Sequence, residues 1–179
     1  MKQAIIERFG GLDILINCAG KLTHKLLTLM FLGVIFNGDV EGTFPQDFDY
    51  LMDINLRTPF ILTQFFQHSL MNSESKQGCV VNVSCISGQN AQPGQIGYCM
   101  VKAGLDMFTK SAAMELAPFG IRVNAVAPTY TDTNLYRYAG LNTEEYESLK
   151  VRAAQNIPMQ RIGKDYEVAK AIIYLTSEK

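Results

Sequence analysis

Residues 78–128 read GCVVNVSCISGQNAQPGQIGYCMVKAGLDMFTKSAAMELAPFGIRVNAVAP, and this stretch decides the fold of the chain. Cys79–Val83 is a short β-branched apolar run behind a glycine, which predicts a buried strand. Residues 121–126 predict a second strand, and Pro128 ends it because proline cannot extend a ladder of hydrogen bonds. A long helix is predicted between the two strands. This strand–helix–strand order is typical of an α/β sheet.

Tyr98 and Lys102 stand four residues apart at the start of the predicted helix, so their side chains share one face about a turn apart. A lysine ammonium beside a phenol favours the phenolate, which makes the tyrosine a usable general acid/base. The small polar segment at residues 84–88 follows the first strand, at the end where open α/β sheets bind ligands. A surface pair on an amphipathic helix has the same spacing, but the flanking strands and polar loop favour the catalytic interpretation.

The order of strand, polar loop, YxxxK helix and second strand resembles the classical short-chain dehydrogenase/reductase family. The resemblance covers nearly the whole chain. LDILINCAG at residues 12–20, MDINLRTPF at 52–60 and the segment from IPMQRIG to LTSEK at 157–179 resemble the family's other segments. The resemblance implies a doubly wound, Rossmann-like α/β fold with a parallel sheet.

The same resemblance implies an oxidoreductase that moves hydride between NAD or NADP and a carbonyl/alcohol substrate. It implies that Tyr98 handles the proton, that Lys102 binds the nicotinamide ribose, and that Asn55 anchors a water. It also implies that Cys85 occupies the substrate-orienting position, thirteen residues before Tyr98, where the family has serine. The further residues that it places at the cofactor are Asn17, Ala19, Gly20, Pro128, Thr131 and Thr133.

Two further features, besides Cys85, depart from the family pattern. No GxGxxG or TGxxxGxG motif occurs in the 179 residues, so the glycine-rich turn that holds the pyrophosphate is missing. By the family's order we expect the first strands and the last strand to be absent from this single, incomplete domain. Residues 21–33 also interrupt the pattern, as a true insertion or a product of the gene model. A truncated, non-catalytic remnant that lacks cofactor binding therefore stays open as the alternative.

Composition and charge restrict the kinds of partner that the chain can be expected to bind. The net charge is −1, from 16 basic and 17 acidic residues without charge runs, which argues against nucleic acid and anionic membranes as partners. The apolar run at residues 26–36 is too short to span a bilayer, so we expect a cytoplasmic protein. The cysteines form no CxxC pair, and the two histidines are far apart, so no metal site is predicted.

Burial and helix limits can also be predicted. Cys18 and Cys79 lie in strand-like runs and are expected to be buried free thiols. Residues 12–16 should form a strand that is covered on both faces, and residues 2–9 a short helix. A long helix should cover residues 47–71 with a kink at Pro59, and in the family it pairs with a partner subunit, which makes a homodimer or homotetramer the expectation. Its predicted apolar stripe is Leu51, Ile54, Phe60, Ile61, Phe65 and Leu70.

Overall fold

A computed structural model describes residue 8 and the ranges 11–18, 38–73, 77–133 and 142–177. Of the predicted helix at residues 2–9, only Arg8 is described, and it is helical. The insertion at 21–33 lies outside the described residues, as do Ala19 and Gly20. No helix within the described ranges is both long and apolar enough to cross a membrane. The described side chains also include no group of three or more potential metal ligands.

The strands predicted at residues 12–16, 79–83 and 121–126 are all present in the described chain. The strands are β1 (Ile14–Asn17), β2 (Cys79–Val83), β3 (Arg122–Val126), β4 (Thr131–Asp132) and β5 (Gly163–Lys164). The helices are α1 (Pro45–Met52), α2 (Thr58–Met71), α3 (Ile96–Leu116), α4 (Thr143–Gln155) and α5 (Asp165–Thr176). Asn142 caps the N-terminus of α4: its side chain accepts a hydrogen bond from the Glu145 amide, and its own backbone amide donates to the Glu145 carboxylate.

The central sheet is parallel, with the order β1-β2-β3. Val80 pairs with Leu15 on one side and with Val123 on the other. Helices α2 and α3 cover the sheet through one apolar core. The core consists of Phe66, Leu70, Val80, Ala112, Leu116, Ile121 and Val123. The parallel α/β architecture predicted from the sequence is therefore confirmed.

Only one face of β1 is covered in the described structure, so the expectation of two covered faces was wrong. Leu12 and Leu15 pack against the core. Ile14 and Ile16 point to the other face and are 40% and 44% exposed. Cys18, which follows this strand, is also exposed rather than buried, whereas Cys79 is buried as expected. Apolar composition predicted the strand correctly, but it did not reveal which side lacks a packing partner.

The long helix runs from Pro45 to Met71, but its middle is a π-helical segment at Asp53–Arg57. The amide of Thr58 bonds to the carbonyl of Asp53, five residues back, and Thr58 Oγ1 donates to the same oxygen at 2.7 Å. Pro59 has no amide hydrogen and its ring crowds the preceding turn, which favours this widened winding. The interruption expected at Pro59 therefore lies in the turn before it.

The predicted apolar stripe of this helix is only partly buried. Leu51 and Leu70 are each 1% exposed, whereas Phe60, Ile61 and Phe65 are 47%, 46% and 42% exposed. The buried aromatic side chain is instead that of Phe66, which was not in the predicted stripe. The π segment adds a residue to one turn, so a regular 3.6-residue period counted through it misassigns the faces of Phe60, Ile61 and Phe65.

Candidate active site

A cleft of about 750 Å³ opens where β1, β2 and β3 end, and α3 and α5 form its walls. Among its lining residues are Cys85, Tyr98, Lys102, Pro128, Thr131 and Thr133. Carboxyl ends of parallel strands meet at one edge of a sheet, which is why residues so distant in sequence converge here. The cleft therefore gathers most of the site residues that the sequence indicated.

Tyr98 and Lys102 are almost fully buried, at 5% and 3% exposed, and both line the cleft. Lys102 Nζ lies 5.5 Å from the centroid of the Tyr98 ring and donates a 3.0 Å hydrogen bond to the carbonyl oxygen of Val83. The tyrosine ring packs with Leu51 and Val101 in a second apolar cluster. Helix geometry brings the two side chains together, and the last residue of β2 orients the ammonium.

Burial lowers the pKa of Lys102 to about 8, because the ammonium loses its water. The charges of Cys85, Cys18 and Asp106 act in the opposite direction, in that order of size. Two of these three, Cys85 and Cys18, line the same cleft. Lys102 can therefore change its protonation close to physiological pH, which an exposed lysine cannot do.

This lowered pKa predicts a pH-dependent stability. Below about pH 8 the lysine is protonated in both states, whereas between about 8 and 10.5 the folded state releases a proton that the unfolded chain keeps. Stability contributed by Lys102 must therefore rise with pH across that window. We expect the difference in unfolding free energy between wild type and Lys102→Met to shift in favour of wild type over this range in urea titrations. A pH-independent difference would contradict the assignment.

The loop after β2 presses directly against the Lys102 backbone. A Cβ atom at Gly88 would lie 2.8 Å from the carbonyl carbon of Lys102 and 2.9 Å from its oxygen. Gly88 ends a short 3-10 turn at Ile86–Gly88. Glycine is required here because no other residue permits this approach of loop to helix.

Cys85 stands at the mouth of this loop and is half-buried. Its thiol donates to Ser87 Oγ at 3.4 Å, and its side chain packs against the Leu51–Tyr98–Val101 cluster. Ser84 is buried, and its hydroxyl donates to the carbonyl oxygen of Lys102 at 3.5 Å. The hydroxyl of Ser84 is therefore engaged by the helix backbone, although Ser84 also lines the cleft.

Asn55 and Asn17 are buried outside the group of residues that line the cleft. Asn55 lies in the π segment, is 0% exposed, and donates from Nδ2 to the carbonyl of Leu51 at 3.1 Å. Asn17 donates to Asn82 Oδ1 at 2.8 Å, and Asn82 donates to Thr109 Oγ1 at 2.9 Å. This buried amide chain ties β1 and β2 to α3, one face of which carries the lysine.

Sequence reasoning missed one wall of the cleft. Helix α5 contributes Asp165, Val168 and Ile172 among others, although it buries none of its residues fully. Arg122 holds its C-terminal end by donating to the carbonyls of Leu175 and Ser177 at 2.7 and 3.2 Å. An arginine at the first residue of a strand gives no sequence signal of such a role.

A second missed feature fixes the segment that carries Thr131 and Thr133. Strands β4 and β5 pair in parallel, and Tyr146 donates from its hydroxyl to Asp132 Oδ1 at 2.7 Å. Lys164 reaches the other carboxylate oxygen of Asp132 at 3.1 Å. The Tyr146 hydroxyl, more than the Lys164 ammonium, lowers the pKa of Asp132. Strands of two residues have no periodicity, so sequence could not predict this arrangement.

Comparisons with known proteins point to one family. The profile described as Enoyl-(Acyl carrier protein) reductase matches residues 1–179. A 3-oxoacyl-[acyl-carrier-protein] reductase FabG from Thermotoga maritima is 33% identical over 178 residues, which are 99% of this chain and 63% of the relative. The corresponding protein of Staphylococcus epidermidis is 31% identical over 179 residues, 100% of this chain and 65% of the relative.

Solved structures agree. Ligand-free aldohexose dehydrogenase from Thermoplasma acidophilum superposes with a TM-score of 0.83 at 27% identity, over 98% of this chain and 64% of that one. ElxO with NADP bound gives 0.81 at 27% identity, over 99% and 64%. The chain thus spans a little under two thirds of the relatives it matches. With the family profile matched along its whole length, the chain belongs to the short-chain dehydrogenase/reductase family.

Proposed function

We propose that this chain carries the proton-handling and substrate-facing part of an NAD(P)-dependent oxidoreductase that interconverts a carbonyl and an alcohol. The observation that carries the proposal is the pairing of Tyr98 with Lys102. Both side chains are almost excluded from water, yet both face one cleft. The names of the FabG relatives suggest a 3-oxoacyl thioester as the first substrate to test.

In this proposal each residue has a separate task. Tyr98 gives a proton to the nascent alkoxide during reduction and removes it during oxidation. Lys102, held by the Val83 carbonyl, keeps two further N–H donors for a ribose hydroxyl and for the phenol oxygen. Asn55 anchors a water behind the lysine. Cys85 orients the substrate oxygen.

The residues present fit the nicotinamide end of NAD or NADP. Pro128, Thr131 and Thr133 line the same cleft as Tyr98 and would hold the carboxamide, while Asn17, Ala19 and Gly20 would flank the adenosine side. When bound, this cofactor supplies or accepts the hydride. A glycine-rich pyrophosphate turn is absent from the sequence, and with it the residue that would select NAD or NADP.

The second candidate is a non-catalytic remnant without cofactor binding, the alternative that the sequence left open. A titration with NADH and NADPH, followed by tyrosine fluorescence and thermal shift, separates the two. The oxidoreductase proposal expects saturable binding and oxidation of the cofactor when a 3-oxoacyl thioester is added. If the chain unfolds cooperatively but shows no cofactor binding and no turnover, the result favours the remnant.

Replacing Cys85 by serine is expected to raise turnover. A thiol is a weaker hydrogen-bond donor than a hydroxyl, so it polarises the substrate carbonyl less. Loss of a whole oxyanion donor costs about 10²–10³ in rate, and because the thiol is only weakened we expect a gain of about tenfold. Steady-state kcat for Cys85→Ser against wild type measures it, with Cys99→Ser as the control. If Cys85→Ser is no faster on any carbonyl substrate, the role of Cys85 is wrong.

We further propose that the chain forms a homodimer or homotetramer through α2 and α3. Phe60 and Phe108 pack edge to face across these helices at 5.9 Å, and the adjacent Phe65 and Met107 are 42% and 60% exposed. Large apolar side chains left exposed on two helices that touch each other are typical of an association surface. The Phe65→Glu, Met107→Lys variant should be monomeric by light scattering at a concentration where wild type associates. An unchanged mass would exclude this surface.

A further inference from the structure

We propose that Cys85 is a covalent attachment site for α,β-unsaturated aldehydes and ketones with an apolar tail. This goes beyond hydride transfer, and needs neither cofactor nor turnover. Its basis is a cluster of nucleophilic and proton-donating groups in one cavity. The cluster, called here the thiol cluster, consists of Cys18, Cys85, Ser87, Tyr98 and Lys102, all of which line the cleft.

The position of Cys85 suits a nucleophile because neighbouring side chains contact its thiol and fix its surroundings. Its side chain is half-buried and rests on the cluster that contains Tyr98. Ser87 Oγ, 3.4 Å from the sulfur, can reverse its hydrogen bond and donate to the thiolate once the thiol proton has left. The ammonium of Lys102 lines the same cleft and brings a positive charge to the cavity in which the sulfur attacks.

The reaction balances without an oxidant or reductant. The Cys85 thiol releases its proton to water, and the sulfur lone pair forms a C–S bond to the β-carbon. The C=C π electrons move toward the carbonyl, so negative charge develops on its oxygen, within a cleft that offers the Tyr98 phenol and the Lys102 ammonium as donors. A proton added at the α-carbon then gives a saturated thioether carbonyl.

The rest of the cleft defines the class of tail. Ile16, Val83, Ile86, Val168 and Ile172 line it and offer apolar surface to an alkyl chain. The chain of an eight-carbon aldehyde fits easily within about 750 Å³. A longer 2-alkenal should therefore react faster than a shorter one at Cys85, but not at a thiol outside the cleft.

The chain offers a matched control for this comparison. Cys99 is half-buried like Cys85, but it is not among the residues that line the cleft. Cys79, at 1% exposed, serves as an unreactive reference. All three thiols fall in the tryptic peptide at residues 77–102, so fragmentation of one peptide compares their labelling directly.

The test treats the intact chain with trans-2-octenal, trans-2-butenal or iodoacetamide, followed by borohydride reduction and peptide mass spectrometry. We expect the ratio of Cys85 labelling to Cys99 labelling to be about tenfold higher with octenal than with iodoacetamide. Butenal should give an intermediate ratio. Octenal labelling in Lys102→Met should be slower by about tenfold, with folding checked by circular dichroism. Cys85→Ser should lose the adduct.

Several results would overturn the proposal. It is wrong if octenal and iodoacetamide give the same Cys85 to Cys99 ratio, or if chain length has no effect in wild type. The wild-type chain-length comparison remains decisive should Lys102→Met fail to fold. Labelling in the presence of NADPH tests the proposed oxidoreductase separately. If NADPH does not protect Cys85, the labelling proposal still stands, but the assignment of a cofactor to this cleft is weakened.

Discussion

Tyr98→Phe is expected to reduce the rate of carbonyl reduction by about 10²–10⁴-fold, the usual contribution of a positioned general acid/base. The phenylalanine ring keeps the packing against Leu51 and Val101, since the hydroxyl is the one group removed. The loss should therefore appear in kcat, with little change in cofactor affinity or in the midpoint of urea unfolding. Stopped-flow reduction of a 3-oxoacyl thioester measures the effect.

Tyr174→Phe is the matched control, because Tyr174 is 75% exposed and is not a residue of the cleft lining. It should behave as wild type in both rate and stability. A Tyr98→Phe protein that turns over within a few-fold of wild type would remove the phenol from the mechanism. A parallel loss of stability would instead mark Tyr98 as a core residue whose hydroxyl is structural.

Gly88→Ala is expected to lower the free energy of unfolding by about 1–3 kcal/mol, the usual cost of overpacking. The added Cβ would meet the Lys102 carbonyl carbon at 2.8 Å and the Ala103 amide nitrogen at 3.0 Å. These are backbone atoms of α3, which cannot move aside without shifting the helix. The same displacement should weaken NADH or NADPH binding, since Lys102 moves with its backbone. Urea unfolding and the cofactor titration measure the two effects.

Gly104→Ala on the same helix separates backbone strain from the general effect of adding a methyl group. Its Cβ would lie 2.8 Å from Leu56 Cδ2, the far end of a flexible side chain. A new rotamer of Leu56 can relieve that contact, and alanine favours the helix by about 1 kcal/mol over glycine. We expect near-neutral stability. Equal losses for both variants would show that the loop's approach to Lys102 has no special importance.

Local sequence patterns predicted the elements that carry their own signal. Cys79–Val83 forms a buried strand because its β-branched residues suit the central strand of a sheet. The pairing of Tyr98 with Lys102 needs only the periodicity of one helix. Their assigned roles in catalysis remain a prediction.

Burial was harder to predict, because it depends on what packs over a surface. Cys18 and Ile16 belong to an apolar run, yet they are partly exposed in the wall of the cleft, and Phe60 follows a π turn that shifts the face of its helix. The wall supplied by α5 was also missed, since Asp165 lies 63 positions after Lys102 and no local pattern connects them. Such contacts arise only when distant elements meet.

From its amino acids alone, this chain could be assigned an α/β class, its main strands and helices, and a tyrosine–lysine pair on one helix face. Those properties follow from interactions within a few residues of the backbone. The three-dimensional packing determines that Lys102 loses its hydration, which lowers its pKa to about 8. It also determines that Cys85 lines an apolar cleft and that Asn55 does not. Desolvation and cavity shape are sums over neighbours from the whole chain, so no local pattern contains them.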